Sequence, residues 1–305
     1  RHNKGHRGNL YDRNDNLLAY SIQKCLIWIN GSNSSSNDKN KIIDLLSSQL
    51  DFPKSKYQHI LTDNSKYLVI EKDLIVQDHK VLIEKINNIK QVRIDYYNHR
   101  LYPYNELAAQ LIGFTDYQNQ GKYGIEGFFN KILSGSESVV EYNRTASGKT
   151  ILSQNTSSLP SNGADITLTL DIKIQEILQN QLSEAYSKNK AKSANGIIVN
   201  PNNGEILAMA SIPDFDLNHY NKLSKDSAQF YYINRPVSSA YEPGSTFKVV
   251  CFTDAIDKGL NNKEEKYFCE NGFYKGKYID AFKDHDSGYD SLTFDEVFSN
   301  SSNIG

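Results

Sequence analysis

YEPGSTFKVV, residues 241–250, sets a Pro-Gly pair directly before a serine and a lysine three residues after it in an otherwise apolar run. Residues three apart on a helix lie one above the other, so Lys248 is predicted within hydrogen-bonding reach of the Ser245 hydroxyl. A serine hydroxyl is a poor nucleophile at neutral pH until a neighbouring base takes its proton. Burial among Phe247, Val249, Val250 and Phe252 is expected to disfavour the charged lysine and lower its pKa, the shift a general base needs. Pro243 fixes the turn and Gly244 relaxes it. Ser245 is therefore expected to open the helix that runs on through CFTDAIDKG, where unpaired amides and the positive dipole end favour an oxyanion.

Spacing alone does not single out this pair. Ser21/Lys24, Ser36/Lys39 and Ser187/Lys190 share it and read as chance pairs on solvated or loop segments. The competing reading of Ser245 is a helix N-cap followed by a snorkelling lysine. Context separates them, since only Ser245/Lys248 follows a Pro-Gly turn and heads an apolar helix. A second element lies downstream in SLTFDEVFSNSSNIG, residues 291–305. Thr293 and Glu296 form a capping box, Leu292, Phe294, Val297 and Phe298 an apolar set, and Ser301-Ser302-Asn303 follow. A serine and an asparagine two apart at a helix end can project into one cleft, the hydroxyl as a proton relay and the amide as a substrate clamp. Taken alone, a polar helix terminus is the better reading of them.

Working outward, GIIVNPNNGEILAMAS (196–211) reads as two apolar strands around a Pro-Asn-Asn-Gly turn. DIKIQEILQNQLSEAYSKN (171–189) places Ile174, Ile177, Leu178, Leu182 and Ala185 on one helical face. SQNTSSLPSNGAD (153–165) is the linker, because Ser, Asn, Pro and Gly crowd there between patterned segments. Before it, short strands alternate with polar connections: RGNLYDRNDNLLAYSI (7–22) is strand, turn, strand, while residues 41–50 and 81–90 have helical spacing. Asn30–Asn40 reads as a flexible loop. The fold class is α+β, with an N-terminal module at residues 1–155 and an α/β module at residues 156–305.

Charge is nearly balanced, 34 basic against 36 acidic residues, so no broad nucleic-acid or membrane field is implied. Cys25, Cys251 and Cys269 are odd in number and far apart, fitting neither a disulfide framework nor a zinc site. The seven histidines are scattered, and no metal or cofactor is expected. No apolar run of spanning length and no signal peptide is visible. Beginning at Arg1 and ending within a helical pattern, the chain reads as a piece of a longer protein.

As a set, these residues resemble the active-serine penicillin-recognising enzymes, whose signature is S-x-x-K, S-x-N and K-T-G. Longer stretches are similar to the class B penicillin-binding proteins, the monofunctional peptidoglycan transpeptidases: RGNLYDRNDNLLA (7–19), YPYNELAAQLIGF (102–114), GIEGFFN (124–130), NPNNGEILAMASIPDFD (200–216) and NRPVSSAYEPGSTFK (234–248), in the expected order. LIGFTDYQNQGKYGIEG (111–127) most resembles the septal, cell-division branch. Two departures stand out within the sequence. Asp15 occupies a position where the first motif usually has Gly, which an Asn14-Asp15 turn can accommodate. K-T-G is absent, since Gly148-Lys149-Thr150 has the wrong order and lies upstream of the serine. In the family that triplet follows S-x-N, which places it beyond Gly305.

The resemblance implies an elongated pedestal followed by a penicillin-recognising transpeptidase domain, with the single membrane anchor preceding Arg1 and the protein on the periplasmic side of the inner membrane. Ser245 would be the acylated nucleophile, Lys248 its general base, Ser301 the proton relay and Asn303 the substrate clamp. Implied partners are peptidoglycan stem peptides, beta-lactams, a SEDS-type glycosyltransferase and other divisome membrane proteins. By itself the 305-residue chain is expected to be an incompetent transpeptidase with the Ser245 helix partly unroofed. A D,D-carboxypeptidase or beta-lactamase on the same fold, and a beta-lactam sensor or septal scaffold, are the competing functions.

Overall fold

The structure is a computed structural model and describes residues 2–89, 91–139, 142–144, 150–152, 161–277, 280–285 and 288–305. It is α+β, and its residues fall into two compact units, Arg1–Ser239 and Ala240–Gly305. The expected boundary at 155/156 lies outside the described residues, as does most of the expected linker.

In the first unit, β1 (Leu10–Tyr11), β2 (Leu17–Ile29), β3 (Leu68–Ile75), β4 (Val92–Leu101) and β5 (Ile166–Thr167) form one sheet. β2 is its spine, pairing antiparallel with β4 from Tyr20↔Leu101 to Ile29↔Val92, with β3 near its end and with β1 at its start. At 13 residues it is far from the short strand its sequence suggested, because Cys25, Ile27 and Ile29 alternate inward along it. The β1–β2 turn is wound around Asp12, whose carboxylate accepts from the Asn14 and Asn16 amides, both at 2.8 Å, and from Ile172 N at 3.1 Å. Asp15 takes the left-handed backbone, φ 62°, that the missing glycine would have supplied freely.

Two helices cover one sheet face, α1 (Ser36–Leu50) and α2 (Lys80–Asn87), through Ile42, Ile43, Leu46, Leu82, Ile83 and Ile86. Each such side chain contributes about 1.5–3 kcal/mol on full burial. The Asn30–Asn40 loop is shorter than expected, since Ser35 caps α1 by accepting from Asp38 N at 3.1 Å and the helix starts at Ser36.

A second cluster joins Leu10, Leu18 and Ala19 to Tyr102, Ile112, Phe114, Leu133, Leu170, Ile172, Phe215 and Leu217. Chain from both sides of residues 153–165 thus shares one core, and β5 pairs parallel with β1. Beside it lies a buried ionic triad. Glu126 Oε2 accepts from Arg7 Nε and its Oε1 from Arg100 Nε, both at 2.7 Å, with all three side chains at most 2% exposed.

Helix α3 (Ile172–Asn189) packs on the hairpin of β6 (Ala194–Val199) and β7 (Ile206–Ile212). Its inward face departs from the expected apolar stripe: Gln175 and Gln179 are buried, while Ile177 is 64% exposed. The reason is hydrogen bonding. Gln175 accepts from Met209 N at 2.8 Å and donates to Met209 O at 3.0 Å, while Gln179 donates to Glu106 O and Asp214. Leu178 and Leu182 reach β6 only because Gly196 leaves room, a Cβ there lying 2.8 Å from Leu178 Cδ1.

The second unit contains α4 (Lys248–Asp257), β8 (Lys266–Phe268), β9 (Phe273–Tyr274), β10 (Phe282–Lys283), β11 (Ser291–Thr293) and α5 (Phe294–Ser299). β8 pairs with β11 and β9 with β10. Its core is Cys269, Leu292 and Val297 with Phe252, whose ring lies 4.7 Å from that of Phe294 and 4.8 Å from that of Phe298. The expected burial of α4 does not hold here: Phe247, Val249 and Val250 are each more than half exposed, and Phe252 alone of the expected set joins the core.

Candidate active site

Pro243 leads into a single 3-10 turn, Gly244–Phe247, that runs directly into α4. Gly244 has φ 58°, a left-handed conformation that costs a side-chain-bearing residue strain, so the glycine is what permits the approach. Ser245 is exposed on this turn, and its carbonyl accepts from Lys248 N. Its hydroxyl makes no hydrogen bond among the described residues, so the competing N-cap role is not realised.

The Lys248 ammonium is held by the turn after α5. It donates to Ser301 O at 2.5 Å, Ser302 O at 2.7 Å, Asn303 Oδ1 at 2.8 Å and, more weakly, Ser301 Oγ at 3.2 Å. Four acceptors share three protons. Burial pushes this ammonium below the ordinary lysine range, and the Asp284 carboxylate opposes the shift. The direction is the expected one, but Nζ is surrounded by the polar groups of residues 301–303 rather than by Phe247, Val249 and Val250.

The capping box is formed as predicted: Glu296 N donates to Thr293 Oγ1 at 3.4 Å and Thr293 N to Glu296 Oε2 at 2.8 Å. α5 ends at Ser299, and Ser301 turns the chain with φ 51°. Asn303 is fixed at both ends of its amide, Nδ2 donating to Lys283 O at 2.8 Å while Oδ1 accepts from Lys248. Ser302 gives the cluster its carbonyl but turns its side chain away, is 4% exposed, and donates through Oγ to Asp284 Oδ2 at 2.9 Å.

Lys248, Ser301 and Asn303 are thus brought together, while the predicted Ser245–Lys248 side-chain hydrogen bond is not formed. The ammonium finds more and better-placed acceptors in the 301–303 turn than the lone hydroxyl offers. Of the discounted pairs, Lys39 is no solvated residue: it is 3% exposed and donates to Asp63 O at 3.0 Å. Gly148 and Lys149 lie outside the described residues. His2 and His6 stand four apart, and among the described residues no group of three or more His, Cys, Asp or Glu side chains converges. No described helix is long and apolar enough to cross a membrane. Sequence reading missed Asp284 and the Arg7–Glu126–Arg100 triad. Arg7 and Glu126 each belong to a recognisable stretch, 7–19 and 124–130, but nothing in one sequence pairs residues 119 apart.

Two family models match the chain: a penicillin-binding protein dimerisation domain over residues 2–168 and a penicillin binding protein transpeptidase domain over residues 195–305. The probable peptidoglycan D,D-transpeptidase PbpC of Pseudomonas aeruginosa is 31% identical over 303 residues, covering 98% of this chain and 52% of that protein. The peptidoglycan D,D-transpeptidase FtsI of Escherichia coli K12 is 29% identical over 312 residues, covering 98% and 50%. The crystal structure of penicillin binding protein 2X from Streptococcus thermophilus superposes with a TM-score of 0.76 at 24% identity, covering all of this chain and 49% of that one. The chain spans about half the length of the curated relatives it matches.

Proposed function

Because the chain belongs to the class B penicillin-binding proteins, we propose that the whole protein is a serine D,D-transpeptidase that cross-links peptidoglycan stem peptides, with Ser245, Lys248, Ser301 and Asn303 in its acylation site. The observation that carries this reading is the convergence of Lys248 with Ser301 and Asn303, more than 50 residues away, directly after the turn that exposes Ser245.

In the proposed reaction, Lys248, deprotonated, takes the Ser245 proton as Oγ attacks the carbonyl of the terminal D-Ala-D-Ala bond. The developing oxyanion is met by the Ser245 amide, which lies in the 3-10 turn before α4 rather than opening that helix as its sequence suggested. Ser301 passes the proton to the departing D-alanine amine, the C–N bond breaks, and an ester to Ser245 remains. Attack by a neighbouring stem-peptide amine forms the new amide and returns the serine hydroxyl. Asn303 holds the donor peptide's amide throughout, and beta-lactams are trapped at the same ester stage.

The septal branch is the finer reading, supported by the 111–127 stretch and by the likeness to FtsI. It places the protein on the outer face of the inner membrane beside a SEDS-type glycosyltransferase and other divisome proteins. Within it, residues 1–155 form the pedestal and 156–305 belong to the transpeptidase domain. The test is turnover of a stem pentapeptide by the whole protein with and without an amine acceptor. Acceptor-dependent product with one D-alanine released per cross-link supports transfer; release with hydrolysis alone, indifferent to acceptor, supports a carboxypeptidase instead.

A further inference from the structure

Residues 97–100, near the end of β4, line a cavity of about 200 Å³ in the first unit, together with residues 115–117 and the 3-10 turn Leu217–Lys222. None of its residues belongs to the acylation site. The cavity is smaller than the roughly 300–1,000 Å³ of a drug-sized site, which suits a single ring.

Arg100 lines it and is 5% exposed. Its Nε donates to Glu126 Oε1 at 2.7 Å and its Nη1 to Ser21 Oγ at 3.2 Å, but Nη2 has no hydrogen-bond partner among the described residues. A buried charged donor without an acceptor has lost its hydration and gained nothing in return. Charge points the same way. Arg7 and Arg100 share the one carboxylate of Glu126. Asp116, also in the lining, is spent: Oδ1 accepts from Gln118 N and Gln120 N, both at 2.9 Å, and Oδ2 pairs with Lys122 at 3.0 Å. Lys24 and Asp73, which act on His99 from neighbouring strands, have opposite signs. One positive charge is left in excess.

The rest of the lining is rich in groups that meet hydroxyls. Asn98, His99, Tyr117, Tyr220 and Asn221 make no side-chain hydrogen bond among the described residues. Burial and then Lys24 hold the His99 imidazole below its ordinary range, against Asp73, so near neutral pH it offers one donor and one acceptor. Tyr220 is fixed by stacking on Phe114, with ring centroids 4.1 Å apart. Tyr117 is 86% exposed, an aromatic face left free beside the cavity. Such a face suits the C–H side of a small ring, while the phenol tip stays polar.

We infer that this cavity is a binding site for an acidic sugar, a hexose-sized ring bearing one carboxylate. Arg100 Nη2 donates to the carboxylate, the ring lies against Tyr117, and Asn98, His99 and Asn221 meet its hydroxyls. A phosphate would bring a charge of about −1.5 to −2 to a wall with one charge in excess, and would leave the free amides and the Tyr117 face unused. The ring is supplied as a free sugar or as the end residue of a glycan chain.

The test is saturation-transfer NMR on the whole protein, titrated in turn with D-glucuronate, D-glucose and acetate. Glucuronate is expected to bind at least about tenfold more tightly than either, because glucose lacks the charged hydrogen bond and acetate lacks the ring. No binding of glucuronate, equal binding of glucose, or equal binding of acetate each overturns the inference. Arg100→Lys should bring glucuronate down to the level of glucose while glucose is unaffected, and a retained preference overturns the assignment of the carboxylate to Arg100. Tyr117→Ala should weaken both sugars about fivefold with the thermal midpoint unchanged. If Arg100→Lys does not fold, Tyr117→Ala and Asn221→Ala carry the test, and wild-type affinity in both overturns it. A disaccharide with glucuronate at its non-reducing end separates the sources: binding equal to the free sugar supports a chain end, and binding of the free sugar alone supports a monosaccharide.

Discussion

The Lys248 ammonium donates to the Asn303 amide oxygen across 2.8 Å, joining residues 55 apart in sequence. The contact sets the state in which the site rests, with the ammonium occupied by the 301–303 turn and the Ser245 hydroxyl open. For Lys248 to act as a base it must lose one proton, and burial favours that loss.

Lys248→Ala should abolish acylation by penicillin, with a loss of at least about a hundredfold, typical of removing a general base. Lys248→Arg should be equally inactive despite keeping the charge, because a guanidinium stays protonated. Stopped-flow labelling checks both. Comparable rates in Lys248→Arg and wild type would show that charge rather than proton transfer is what the position supplies.

Gly244→Ala should cost about 1–2 kcal/mol, the strain of a Cβ at positive φ, although the space around it is open. The acylation rate should fall as well, since the 3-10 turn presenting Ser245 depends on that backbone. Chemical denaturation and labelling rates measure the two effects, and a variant with unchanged stability would show the turn to be tolerant.

Glu126→Gln should destabilise the first unit by about 3–5 kcal/mol, because it leaves two buried guanidinium groups without their shared counter-charge. Arg100 Nη2 already lacks a hydrogen-bond partner among the described residues, so little local rescue is at hand. Urea unfolding followed by Trp28 fluorescence reads the change, and a loss well under that range would mean that water reaches the triad.

Asp12 should make stability fall at acid pH. Burial pushes its carboxyl up, but hydrogen bonds from Asn16, Ile172 and Asn14 outweigh this and hold it below the ordinary value of 3.8. The folded state therefore binds the proton more weakly than the unfolded chain. The contribution is complete above that ordinary value and is lost as pH falls through the lower folded one. Asp12→Asn should flatten this part of the urea-midpoint profile, and an unaltered slope would assign it to other carboxylates.

Local chemistry carried much of the sequence reading. Pro243-Gly244, the Thr293/Glu296 box and the 196–211 hairpin each follow from residues a few positions apart, and each is present. Failures came where burial is decided at long range. Hydropathy put Ile177 inside and Gln175 outside, but the Met209 backbone, 34 residues away, inverted the preference by offering a donor and an acceptor. Lys39 read as solvated because its partners, the backbone carbonyl of Asp63 and the side chain of Asn64, come from another turn. Asp284 carried no periodicity and no motif. Apolarity likewise suggested a buried α4, whereas contacts within its own unit cover little more than Phe252.

The central claim is that Ser245 becomes an ester. Intact-mass spectrometry of the whole protein after exposure to benzylpenicillin, followed by peptide mapping, tests it most directly. The expected result is a single addition of one whole penicillin on the peptide that carries Ser245, absent from Ser245→Ala and Lys248→Ala. No adduct on the wild type, or one that maps elsewhere and persists in Ser245→Ala, would contradict it.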